Sequence, residues 1–307
     1  MKKNFNLKSS DNQNILYGTS FIPEGEVKAV IQLVHGMCEY IELFEEFAEA
    51  MNKRGIAVIG VDMLGHGFTA TSLDDLGFFA ERNGKKYLLT DQHKLTAMIK
   101  DEYPETPIFI MGFSLGSFIV RRYITIWGDE VDGALILGTG TRSVGATTFG
   151  MFLATVIRFF KGARHRSKLL YYLTTGLYKI VFKLKLKGSW LSHNKEDHEM
   201  YEINPLCNFT FTVSAYHTMF SIMRDLALEK NDDRIPKELP VCFYSGMEDP
   251  VGNYTKGVLK TFNEYVHLGI KDVDVKFYPK DRHEILNEAD REDVFYDIYT
   301  FIEEKSH

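Results

Sequence analysis

The run Gly112-Phe113-Ser114-Leu115-Gly116 carries the sharpest chemical signal in the sequence. It follows the apolar Ile108-Phe109-Ile110-Met111 and precedes a helix-like Ser117 to Thr125, so the serine is expected on a strand-to-helix turn. A turn that tight leaves no room for side chains two positions before and after the serine, which accounts for both glycines. It exposes the hydroxyl and aims the free N–H groups of the new helix at the reacting atoms. A glycine-rich turn with an incidental serine is the competing reading, and the flanking strand and helix weigh against it.

A serine hydroxyl is a poor nucleophile until a base takes its proton and a carboxylate orients that base. Asp249 lies in Ser245-Gly246-Met247-Glu248-Asp249-Pro250 and His283 in Asp281-Arg282-His283-Glu284, each after a run that reads as a strand. Serine, acid, histidine is the chain order expected on a parallel sheet, so Ser114, Asp249 and His283 are the predicted catalytic residues. Glu248 is the rival acid, and Asp281 a weaker one. The oxyanion needs two N–H donors: Leu115 supplies one, and Met37, in His35-Gly36-Met37-Cys38-Glu39, is the candidate for the other. Gly36 lets the backbone there approach substrate, although an ordinary strand-to-helix loop fits the same residues.

Parallel strands must hold these loops at one edge. Apolar runs at Ala29 to Val34, Ile56 to Val61, Ile108 to Met111 and Gly133 to Leu137 read as strands buried on both faces, and Val241 to Ser245 and Val273 to Tyr278 as two more strands. Amphipathic stretches such as Leu43 to Lys53, Leu88 to Lys100 and Asp290 to Glu304 separate them, and Asn14 to Ile22 reads as an antiparallel lead-in. The predicted fold class is α/β, a mostly parallel sheet flanked by helices. The alternation stops near Gly140 and resumes near Leu239, which predicts a core of residues 1–140 and 239–307 with a helical cap inserted at 141–238.

The chain has 307 residues with 36 Lys plus Arg, 42 Asp plus Glu and a net charge of -6, which disfavours nonspecific nucleic-acid binding. Three scattered cysteines suit a reducing, cytoplasmic setting. No leader pattern follows Lys2 and Lys3, and no apolar run is read as approaching the ~20 residues of a bilayer span. From Arg142 to Lys187 there are ten basic residues and no acidic one, interleaved with Phe149, Phe152, Phe159, Phe160 and other apolar side chains. That pattern suits peripheral contact with an anionic membrane, and equally a cap whose apolar side packs on the core while its lysines are solvated. His193 and His198 lie five apart and His283-Glu284 lacks a second histidine at helical spacing, so neither a metal nor a cofactor is expected.

The set Val34 to Glu39, Val61-Asp62-Met63-Leu64-Gly65-His66-Gly67, Gly112 to Gly116, Ser245 to Asp249 and Arg282-His283-Glu284 resembles the α/β-hydrolases of the monoacylglycerol lipase and lysophospholipase type, within the S33 serine aminopeptidase group. The resemblance runs from about residue 14 to 304. It implies an eight-stranded sheet, a helical cap, and hydrolysis of a single fatty acyl ester by Ser114, Asp249 and His283, with Met37 and Leu115 at the oxyanion hole. It makes Asp62 to Gly67 a structural loop beside the site. Phe113 departs from the family, which usually has His or Tyr before the serine. Gly36, Phe113, Met151, Phe152 and Phe159 are the candidates for contacting substrate, core packing being the commoner use of such cap residues. Monoacylglycerol or lysophospholipid is the preferred substrate class. Short-chain carboxylesterase, thioesterase and aminopeptidase activities are alternatives, and a noncatalytic lipid-binding module is the alternative outside enzymes.

Overall fold

In the computed structural model, which describes residues 1–182, 189–228 and 234–306, eight strands form one sheet: β1 (Lys2–Lys8), β2 (Ile15–Phe21), β3 (Ala29–Val34), β4 (Ile56–Val61), β5 (Ile108–Phe113), β6 (Gly133–Leu137), β7 (Val241–Gly246) and β8 (Val273–Tyr278). Their spatial order is β1-β2-β4-β3-β5-β6-β7-β8, with β1 and β2 antiparallel to their neighbours and the rest parallel. The helices are α1 (Glu45–Asn52), α2 (Gly84–Glu102), α3 (Leu115–Trp127), α4 (Val144–Lys161), α5 (Lys168–Tyr171), α6 (Leu177–Val181), α7 (Lys195–Ile203), α8 (Val213–Ala227), α9 (Lys256–His267) and α10 (Arg291–Lys305).

Strand residues alternate between two cores. On β4, Ala57, Ile59 and Val61 join the core that includes α2 and α3, whereas Ile56 and Val58 face the one containing α1 and α10. Every residue of β3 to β7 is buried, which is why these strands read as unbroken apolar runs. The strand absent from the sequence reading is β1. Only Phe5 and Leu7 are apolar in a stretch of Lys and Asn, and the antiparallel register with β2 holds it at the sheet edge. On α3, Trp127 stacks on His93 of α2 with ring centroids 4.4 Å apart.

Helices α4 to α8 all lie between β6 and β7. Of these, α8 packs against α4 and also against α2 and α3, so the inserted stretch is seated on the core at its returning end. Against the expectation that no apolar run approaches a bilayer span, Val144–Lys161 is by length and composition long and apolar enough to cross a membrane. Scattered Thr and Gly residues and Arg158 hide this in the sequence by breaking up the apolar run. Lys183, Lys185 and Lys187 of the basic stretch lie outside the described residues.

Candidate active site

Ser114 sits between β5 and α3 with φ 52° and ψ -115°, a conformation that costs energy for a side chain and is imposed by its surroundings. Its N–H donates to the Leu137 carbonyl at 3.0 Å, and its own carbonyl accepts the Ser117 N–H at 2.9 Å. The glycines serve close approach. A Cβ on Gly116 would stand 2.0 Å from the Val34 carbonyl oxygen, and one on Gly112 2.4 Å from the Gly116 oxygen.

His283 Nε2 lies 2.8 Å from Ser114 Oγ, and His283 Nδ1 lies 2.9 Å from Asp249 Oδ2. The other Asp249 oxygen accepts the Val251 N–H at 2.7 Å. Both Asp249 and His283 are buried. The imidazole lies between Phe113 and Trp190, at centroid distances of 5.1 and 5.2 Å. The rival acids point elsewhere. Glu248 faces His193 at 3.2 Å and Arg282 at 3.6 Å, and Asp281 is pushed up to about 8 by burial and by neighbouring Asp290.

The loop after β3 is braced from below. His35 Nε2 accepts the Met63 N–H at 2.9 Å, which leaves the proton on Nδ1, 2.8 Å from the Gly36 carbonyl. Burial lowers His35 to about 4, and its partner ring His66, 4.9 Å away, is lowered well below the ordinary value. Asp62 accepts the Ile41 and Phe68 N–H groups, each at 2.8 Å, so the Asp62 to Gly67 segment is tied to this loop. Among the described residues, neither the Met37 N–H nor the Leu115 N–H has a hydrogen-bond partner, and both residues border the same cavity as Ser114.

That cavity has a volume of about 800 Å³. It is lined by Met37, Phe113, Ser114, Leu115 and His283 from the sheet domain, and from α4 by Ala146, Thr147, Phe149 and Gly150. Of the candidates for contacting substrate, Phe113 lines it, whereas Gly36, Met151, Phe152 and Phe159 do not. Phe152 and Phe159 are 64% and 83% exposed on the outer side of α4. Gly36 packs against the serine, where an added Cβ would stand 3.0 Å from Ser114 Cβ, and Glu39 Oε2 accepts its N–H at 2.5 Å.

Among the cavity residues to which sequence assigned no catalytic or substrate-contacting role are Glu39, Arg142, Tyr178 and Trp190. Glu39 ends the motif Val34 to Glu39, which is its only signal in the sequence. Its second oxygen accepts the Tyr201 hydroxyl of α7 at 3.1 Å, and burial raises its carboxyl to about 8.

A family model described as serine aminopeptidase, S33, matches residues 25–290. The chain is 24% identical over 214 residues to a monoglyceride lipase of Rattus norvegicus, covering 65% of this chain and 59% of the lipase, so it spans less than two thirds of that relative's length. Among solved structures, a thermostable carboxyl esterase from Bacillus coagulans superposes with a TM-score of 0.89 at 25% identity, covering 100% of this chain and 99% of that one. A soluble variant of monoglyceride lipase from Saccharomyces cerevisiae superposes with a TM-score of 0.76 at 20% identity, covering 100% and 95%.

Proposed function

The chain belongs to the serine aminopeptidase S33 family, as an α/β-hydrolase of the monoacylglycerol lipase type, and from that premise we propose that it hydrolyses carboxylic esters of lipids, with monoacylglycerol or lysophospholipid as substrate. Ser114 attacks the ester carbonyl as His283 takes the hydroxyl proton, and Asp249 holds the imidazole and balances its positive charge. The Met37 and Leu115 N–H groups receive the oxyanion, a contribution of about 10² to 10³ in rate for such a donor. His283 then protonates the departing alcohol. Water, deprotonated by the same imidazole, releases the fatty acid from Ser114.

The observation that carries this reading is the pair of short contacts, 2.8 Å from serine to imidazole and 2.9 Å from imidazole to carboxylate, opening on a cavity large enough for an acyl chain. Residues 141–238 act as the cap in this proposal, and the exposed apolar side of α4 with its basic neighbours rests on the lipid surface from which substrate is drawn. A fluorophosphonate probe is expected to label Ser114, and His283→Ala to abolish both labelling and monoacylglycerol hydrolysis. An unlabelled wild-type protein that leaves every ester intact would overturn the proposal.

A further inference from the structure

The main cavity shares Arg142 and Tyr178 with a second cavity of about 580 Å³. Beyond that shared wall the second cavity is bordered by Lys256 and Lys260, and its described lining contains no Asp or Glu. Lys260 has one partner nearby, Glu264 at 3.6 Å on the same helix. The half-buried Arg142 guanidinium donates to Tyr178 Oη at 2.6 Å, to the Thr141 carbonyl at 2.9 Å and to the Val251 carbonyl at 3.4 Å. All three acceptors are neutral, and among the described residues no carboxylate forms an ion pair with it. A guanidinium presents five N–H donors in a planar fork suited to phosphate or carboxylate, so charge and geometry are both left incomplete.

The position of this cation relates it to the reaction. Tyr178 lies 5.5 Å from Trp190 between ring centroids, and Trp190 lies 5.2 Å from His283, so Arg142 stands at the far side of an aromatic wall beginning at the imidazole. Leu170, Met219 and Phe220 make another part of the same cavity apolar and fit for an acyl chain. Of the carboxyls that line it, Glu39 and Glu284 gather beside Tyr201 and Cys207, and Glu202 is paired with Lys179 at 3.1 Å.

We propose that Arg142, with Lys256 and Lys260 beyond it, binds an anionic group on the alcohol portion of the substrate, so that a phosphate-bearing lysolipid is cleaved in preference to a neutral monoacylglycerol. This rests on the ester-hydrolase reading and narrows it.

The test uses 1-hexanoylglycerol and 1-hexanoylglycerol 3-phosphate, both kept below aggregation, so that charge on a micelle plays no part. Wild-type kcat/KM is expected to favour the phosphate ester. Arg142→Gln should lower it for that ester by about 10- to 100-fold, the range for loss of charge-assisted hydrogen bonds. The neutral ester should stay within about twofold, and Arg142→Lys should restore much of the preference. An equal fall on both esters would mean that Arg142 only braces the Asp249 loop through Val251, and an unchanged ratio would mean that it reads no charge; either overturns the proposal. Calorimetric binding to the Ser114→Ala protein decides the same point without turnover. If neither ester is cleaved but the phosphate ester binds in an Arg142-dependent way, the hydrolase reading fails and the anion site stands. Inorganic phosphate binding as tightly as the phosphate ester would mark a site for the free ion and overturn the substrate assignment.

Discussion

Glu39 holds the Gly36 N–H with one oxygen and meets the Tyr201 hydroxyl with the other, joining the loop after β3 to helix α7. Buried and raised to about 8, it keeps its proton at neutral pH, whereas in the unfolded chain it gives it up near its ordinary value of 4.5. Between those values the folded protein binds more protons than the unfolded one, so stability falls as pH rises through that window. Glu39→Gln is expected to remove this slope, worth at most about 1.4 kcal/mol per pH unit. Calorimetric melting between pH 5 and 9 should show the variant gaining on wild type toward alkaline pH; parallel curves would mean that Glu39 ionises normally in the fold. Sequence could place Glu39 in a motif but not assign this duty, because the duty depends on Tyr201, 162 residues away.

Helix α4 shows where pattern reading reaches its limit. Its large apolar residues Phe152, Phe159 and Phe160 lie away from the buried Thr147, Gly150 and Ala154, so periodicity selects the outward face: Met151, Phe152 and Phe159 were expected to meet substrate, whereas Ala146, Thr147, Phe149 and Gly150 line the cavity. The strands were easier. Side chains buried on both faces leave an unmistakable apolar run, while β1, an edge strand with two apolar residues, leaves almost none. The uncovered side of α4 carries Phe152, Phe159 and Phe160, with Leu169 and Leu173 exposed in the segment that follows. Replacing Phe152 and Phe159 together by Glu is expected to reduce cosedimentation with phosphatidylglycerol vesicles at least tenfold while leaving hydrolysis of a soluble hexanoyl ester within about twofold. Equal loss of both would indicate damage to packing instead of a lost membrane contact.

At the scale of the whole molecule, the three predicted catalytic side chains come from loops 34 and 169 residues apart in sequence, and parallel strands deliver them to one edge of the sheet. That convergence was legible, because a strand-loop-helix order fixes which end of a strand a loop occupies. The cationic cavity was not, since Arg142, Tyr178 and Lys256 come from three segments whose meeting no spacing records. Both indoles of this chain, Trp127 and Trp190, lie against imidazoles, and only the second touches the reacting one. The fold therefore supplies its own optical reporter. In a Trp127→Phe protein the remaining tryptophan emission originates beside His283, and its wavelength or yield should change as a fluorophosphonate occupies the serine, so that occupancy could be followed in real time without an attached dye.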